Sequence, residues 1–250
     1  MKEKLNKIRQ EIDLIDCQMI KLLEARIALV KKVGQIKSSN CDISFIKADR
    51  EFAMLVNLLS KSTEIPQQII IAIWRLIISF SLQHEKKFEV NCFSTNIEKA
   101  KRLIREYFSA LTQINFSPRL NNKFGSQDLL VFERNDQKLY KYLYINNQYK
   151  IFANLPDLNG NARECFYLSN LLVAAKITLD TITYDIAIIA VPYQLAGQIV
   201  EKTFLTEIEI NAEAFYICEV KKKIYNSLKK ESDISLLGGY ASDFTKLILE

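Results

Sequence analysis

An arginine stands where the sequence asks for an apolar side chain. Apolar residues recur at Leu5, Ile8, Ile12, Ile15, Met19 and Leu22, then at Leu29, Val33 and Ile36, and this three-four spacing predicts another at position 26, which Arg26 occupies. An unpaired guanidinium in such a seam is costly to bury, so Arg26 needs an anionic partner, either a glutamate in an internal salt bridge or a bound anion. Lys37 lies eleven residues further on, three turns plus about 20°, and shares the face of Arg26. Ser81 and Glu85, at i and i+4, share a face of a later helix, although the same spacing also fits solvent exposure near a helix end. Cations on one face, with hydroxyl and carboxyl groups to orient a ligand, suit the recognition of a small anion. The single histidine, His84, lies beside that second pair. No His-based triad and no His-rich metal cluster can be built from it, which weighs against hydrolase and zinc-enzyme chemistry.

The elements that hold these groups read as three helices. The first runs from about residue 3 to 38, roughly 50 Å at 1.5 Å per residue, and is too long to be covered by a small domain of its own chain. A second subunit is the expected partner of its stripe. Asn40, Cys41 and Asp42 interrupt the pattern. Asp49 is expected as the N-cap of a helix over 50–60 with Phe52, Leu55, Val56, Leu58 and Leu59 on its apolar side. Pro66 suits the first turn of a third helix that carries Ile69, Ile70, Ile73, Trp74, Ile77 and Ile78 and continues to about residue 86.

Composition narrows the function classes. Of the 250 residues 49% are hydrophobic and 25% charged, with only 6 Gly and 4 Pro, which describes an ordered globular chain of one large or two small domains. The longest apolar runs, 69–73 and 186–192, are far below the roughly 20 residues that span a bilayer, so no membrane role is expected. The charged start shows no signal peptide, and a cytoplasmic location is expected. Five cysteines (Cys17, Cys41, Cys92, Cys165 and Cys218) are odd in number and scattered without a CxxC pair. Reduced thiols are expected rather than disulfides or a zinc site. The net charge of +5 is carried by residues 1–87, with 15 Lys and Arg against 10 Asp and Glu, whereas residues 88–250 balance at 19 against 19. Basic residues are not clustered with aromatics, so a small anionic ligand fits better than nucleic acid.

The run Leu5-Asn6-Lys7-Ile8-Arg9-Gln10-Glu11-Ile12-Asp13, followed by Ile15-Asp16, Leu22-Leu23-Glu24-Ala25-Arg26, Val33-Gly34-Gln35-Ile36-Lys37, Asp49-Arg50-Glu51 and Ile77-Ile78-Ser79-Phe80-Ser81, resembles the all-helical chorismate mutase family over nearly all of residues 3–87. The resemblance implies an intertwined helical homodimer whose active sites combine residues of both chains, and rearrangement of chorismate to prephenate with no cofactor and no metal. It implies that Arg9, reaching in from the partner chain, and Arg26 hold the substrate carboxylates, and that Lys37 donates to the ether oxygen and a carboxylate. Arg50 would support the electrostatics, Glu51 would accept from the ring hydroxyl, and Ser81 would sit near the ring carboxylate. Glu85 would face Lys37 across the ether oxygen. Arg26, Lys37, Glu51 and Glu85 are thus the implied catalytic set. Lys47 departs from the pattern, since an Asp is usual three residues before Arg50.

The chemistry of that reaction agrees with the residues. A Claisen rearrangement is unimolecular and needs no nucleophile; the protein must fold a flexible dianion into a compact conformer and stabilise negative charge growing on the breaking ether oxygen. Arginine forks recognise carboxylates bidentately, and a fixed lysine supplies charge at the oxygen. Every implied catalytic residue precedes residue 88, so the helical segment is expected to work alone.

Beyond residue 87 the periodicity changes to α/β: strands at 88–93, 113–116 and 129–132 and a helix over 97–108. The segment from Asn161-Ala162-Arg163-Glu164-Cys165-Phe166 to Val173-Ala174-Ala175-Lys176 resembles the close of the prephenate dehydratase catalytic domain, but Tyr167, Leu168 and Ser169 replace its Thr-Arg-Phe signature. Loss of dehydratase activity is expected. Residues 183–244 read as strand (185–191), helix (195–204), strand (214–220) and helix (222–230), ending in Leu237-Gly238-Gly239-Tyr240. This order resembles the regulatory ACT module. Gly197-Gln198-Ile199-Val200 stands where a phenylalanine-binding loop is usual, without the companion Glu-Ser-Arg-Pro motif, so a structural or dimerising module and a sensor of an aromatic amino acid effector both remain open. The expected organisation is a three-helix mutase domain at 1–87, a degenerate dehydratase-like α/β lobe at 88–180 and an ACT-like α+β module at 181–250. No GxGxxG motif occurs, which sets a dinucleotide-binding reading aside. The competing function is a catalytically weak regulatory protein that binds aromatic amino acids or a partner enzyme through its tail.

Overall fold

The computed structural model describes residues 2–38, 47–85, 87–116, 120, 124–125, 128–156, 168–182, 184–230 and 233–241. The segment 161–167, with its dehydratase resemblance, and the interruption at 40–42 lie outside the described residues, as do Cys41 and Cys165.

Helix α1 spans Lys2–Ser38, α2 Ala48–Leu59 and α3 Gln67–Glu85. The expected stripe of α1 is uncovered: residues 2–25 are exposed, including Leu5, Ile8, Ile12, Ile15, Met19 and Leu22. Partial burial begins at Arg26 and recurs at Ile27, Val30, Val33, Gly34 and Lys37, the face that packs on α3. On α3 the buried face is Ile70, Ile71, Arg75, Ile78, Ser79 and Leu82, whereas Ile69, Ile73 and Leu76 are exposed. One expectation is corrected here. Asp49 is not the N-cap of α2; Lys47 takes that position without a side-chain cap, and Asp49 and Glu51 sit in the first turn, where acidic groups favour the positive end of the helix.

The rest of the chain builds one nine-stranded mixed sheet. Strands β1 (Glu89–Phe93), β2 (Gln113–Asn115) and β3 (Leu129–Glu133) run parallel, with α4 (Ile97–Phe108) as the crossover from β1 to β2. After α5 (Gln137–Ile145) come β4 (Tyr149–Pro156) and β5 (Leu168–Lys176), which pair antiparallel, β5 also lying against β3. Then follow β6 (Ile186–Pro192), α6 (Tyr193–Ala196), β7 (Lys202–Ile210), β8 (Glu213–Lys221), α7 (Lys222–Leu228) and β9 (Ser235–Tyr240). The order across the sheet is β2-β1-β3-β5-β4-β9-β6-β8-β7. The last four strands form an antiparallel β-α-β-β-α-β unit of the split type. The helix expected over 195–204 is corrected: only one turn, α6, is helical, and the chain is already in β7 at Lys202.

Glycine joins the two strand groups. Gly238 has φ of +140°, and a Cβ there would lie 2.1 Å from the carbonyl oxygen of Ile151, so only glycine lets β9 approach β4. The core lies on both faces of the sheet. Ile78 and Leu82 of α3 pack with Val90, Leu103, Ile104 and Phe108 on one face. Leu139, Tyr140 and Leu143 of α5 cover Leu130, Phe132, Ile188 and Leu237 on the other. Ala187, Ile188, Ile189, Ala190 and Val191 are all fully buried, which accounts for the unbroken apolar run of β6. Among the described residues no helix is long and apolar enough to cross a membrane.

Candidate active site

Helix α1 reaches its closest approach to α3 at a glycine. A Cβ on Gly34 would stand 3.0 Å from the carbonyl oxygen of Glu85, so the bare backbone allows the two helices to meet there. The crossing brings together the pairs expected to share faces. Nη1 of Arg26 donates to Oγ of Ser81, which itself donates to the carbonyl of Ile77 at 2.6 Å. Nζ of Lys37 donates to Oε2 of Glu85 at 2.7 Å, with both side chains largely buried.

The partner of Arg26 is therefore a neutral hydroxyl. Among the described residues no carboxylate lies within ion-pair distance of it, and the internal salt bridge that the sequence left open does not form there. Burial and the neighbouring Arg50 lower the pKa of Arg26, while Glu85 opposes that shift. An arginine stays charged under these conditions, so its cost of burial is lowest when an anion enters. Arg50, in the first turn of α2, is exposed and contributes to this positive field.

Glu51 points from α2 into the same region. Its Oε2 accepts from Nη1 of Arg75 at 3.1 Å, and the Glu51 side chain is only 18% exposed. Burial raises its pKa; the charge and hydrogen bond of Arg75 oppose this most, Glu85 adds to it and Lys37 opposes it. Arg75 itself is 8% exposed, and its guanidinium carbon lies 4.4 Å from the ring centre of Tyr107 in α4. Arg75 is not among the expected site residues, although its signal in the sequence is that of Arg26, a lone charge inside an apolar helical run from Ile69 to Ile78.

The structure thus gathers Arg26, Lys37, Glu51, Ser81 and Glu85 at the crossing of α1, α2 and α3, with Arg50 beside them. Arg9 does not join them within one chain. It lies seventeen residues before Arg26 on the same straight helix, about 25 Å away along the axis, and is exposed. Lys47 is partly exposed and within electrostatic reach of Asp180, in the 3₁₀ turn Leu179–Thr181. In the C-terminal unit, Gly197 ends α6, Ile199 is buried and Val200 is exposed.

The arrangement offers cations and hydrogen-bonding groups to a small anion, with Lys37 and Glu85 paired beside Arg26 and Ser81. Comparison with known proteins agrees with its helical part. The family model for chorismate mutase type II matches residues 8–86. A bifunctional chorismate mutase/prephenate dehydratase of Aquifex aeolicus (strain VF5) is 38% identical over 92 residues, covering 35% of this chain and 25% of that protein. The chain thus aligns with about a quarter of the length of that curated relative. No solved structure matches the chain. Three helices in the expected order, Gly34 at their crossing and a family match over 79 consecutive positions lead to one assignment: residues 8–86 are a chorismate mutase type II domain.

Proposed function

We propose that the chain rearranges chorismate to prephenate in aromatic amino acid biosynthesis, with residues 8–86 as the catalytic domain. The observation that carries this reading is the crossing of α1 and α3, where Arg26 is bonded to a neutral Ser81 and Lys37 touches Glu85. Arg26 accepts a substrate carboxylate as its missing counter-ion, with Ser81 beside it. Lys37 and Glu85 then flank the ether oxygen, with Lys37 stabilising its growing negative charge. Glu51 accepts from the ring hydroxyl and Arg50 adds positive field. The reaction needs no group beyond these, because one molecule rearranges within itself and the site selects its compact conformer.

The proposal includes a homodimer. The exposed stripe of α1 and the exposed Ile69, Ile73 and Leu76 of α3 are apolar surface that a second copy would cover, and Arg9 of each chain would complete the site of the other. Residues 88–180 are read as a dehydratase-like lobe without dehydratase activity, and residues 181–250 as an ACT-like module; the β-α-β-β-α-β order supports the latter. Lys47 at the start of α2 favours a second reading, a weakly catalytic regulator that binds an aromatic amino acid through that module. Incubation of the purified chain with chorismate separates the two. Prephenate formation supports the mutase, and its absence at saturating chorismate from a folded dimer supports the regulator.

A further inference from the structure

We infer that Arg75 is a positioning residue for Glu51, and that Tyr107 holds Arg75 in place from the α/β part of the chain. The inference rests on the mutase reading and adds to it a dependence of the helical site on the sheet that follows.

The geometry is a clamp of three side chains from three helices. Arg75, from the middle of α3, lies in an apolar surrounding where a lone guanidinium is strongly disfavoured. It is satisfied in two directions at once. Its Nη1 meets Oε2 of Glu51 at 3.1 Å, and the ring of Tyr107 from α4 lies 4.4 Å from its guanidinium carbon. A planar cation between a carboxylate and an aromatic face has little freedom to turn. The crevice at this seam is lined by Glu51, Arg75, Ser79, Tyr107, Phe108 and Phe152, so helical and α/β residues build its walls together.

What is clamped is the acceptor. Among the described residues the one hydrogen bond of the Glu51 carboxyl is that of Oε2 to Arg75, which leaves Oε1 to accept from a substrate hydroxyl. A neutral Glu51 would instead present a donor and lose this role. The groups that set its charge are Arg75 and Glu85 from α3 and Lys37 from α1, with Tyr107 of α4 packed on Arg75. Burial pushes the pKa of Glu51 up and Arg75 pulls it down most. Arg75 therefore fixes the orientation of Glu51 and favours its ionised form against the effect of burial. The expectation that residues 1–87 work alone changes as a result, because Tyr107 and the core around Ile78 and Leu82 belong partly to the α/β unit.

The test uses the full chain. Chorismate turnover is measured from pH 5 to 9 for the parent, Arg75→Gln, Arg75→Lys and Tyr107→Leu, with thermal unfolding of each as a control for folding. Glu51 must be ionised to accept, so activity falls as pH falls through its pKa. Arg75→Gln is expected to move this acid limb upward by about one pH unit and to lower kcat/KM at pH 7 by tenfold or more. Arg75→Lys restores most of the limb, and Tyr107→Leu moves it in the direction of Arg75→Gln by a smaller amount. A merely structural role of Arg75 would lower the unfolding temperature and leave the limb in place. If Arg75→Gln does not fold, Tyr107→Leu carries the test. An active parent whose acid limb is unmoved in the folded variants overturns the positioning role alone, whereas a parent without turnover overturns the mutase reading and the inference with it.

Discussion

Two partly buried arginines in this chain meet opposite fates. In the α/β part, Arg134 follows β3 and is closed into a network: Nη2 lies 2.6 Å from Oε1 of Glu219 and donates to the hydroxyl of Tyr240, which donates to the same Oε1 at 2.8 Å. In the helical part, Arg26 spends its hydrogen bond on the hydroxyl of Ser81. The first cation is neutralised by the fold and joins strands β8 and β9 to the end of β3. The second has only a neutral hydroxyl as its hydrogen-bond partner among the described residues. Proximity of an arginine to polar groups is thus a poor guide to function; the sign of its partner is the informative quantity.

The contrast is sharpened most by breaking the closed network. Arg134→Met leaves Glu219, whose pKa burial already raises, without its ion-pair partner. A loss of about 3–5 kcal/mol in unfolding free energy is expected from urea titration, with chorismate turnover of the folded protein within about threefold of the parent. Next comes the open arginine. Arg26→Ala should cost about 3 kcal/mol in the barrier, a hundredfold or more in kcat, with stability changed by less than about 1 kcal/mol, because Ser81 keeps its bond to Ile77. A smaller effect tests the frame around the site. Gly34→Ala places a methyl 3.0 Å from the Glu85 carbonyl; about 1–2 kcal/mol of destabilisation by urea titration and a severalfold fall in kcat are expected as Lys37 and Glu85 separate.

The smallest change removes one charge. Glu85→Gln keeps nearly the same shape, breaks the ion pair with Lys37 and places a permanent hydrogen-bond donor beside it. Chorismate turnover within about tenfold of the parent is expected, and loss of all activity from the folded variant would remove Glu85 from the ether oxygen.

Local periodicity made the helical part legible. The stripe of α1 and the break at Arg26 are properties of one helix, and the pairing with Ser81 and Glu85 needed only one further helix with an i, i+4 pair. Arg75 carries the same kind of signal, a lone charge in an apolar helical run, but the sequence offers no anionic or aromatic partner for it at helical spacing. Its role depends on Tyr107, a contact between α3 and α4 that no local pattern encodes. The hairpin of β7 and β8 was missed for a different reason. Its turn, Asn211-Ala212, has φ of +52° and +65°, the left-handed pair of a tight hairpin. Asn-Gly would announce such a turn; alanine in the second position hides it, and the helix expected over 195–204 overlaps only the start of β7, at 202–204. Strands β4 and β5 and helix α5 also went unread, since the pairing of β4 with β9 at Ile151 and Gly238 joins segments 87 residues apart.

One side-by-side measurement tests the crossing of α1 and α3 most directly: initial rates of prephenate formation from chorismate by the full chain, by Arg26→Ala and by Arg134→Met, each scaled to its folded fraction. The open and closed arginines predict a parent that turns over chorismate, an Arg26→Ala protein at least a hundredfold slower, and an Arg134→Met protein within about threefold of the parent. No prephenate from the folded parent, or Arg26→Ala within threefold of it, would contradict the assignment of the crossing of α1 and α3 as the site of the reaction.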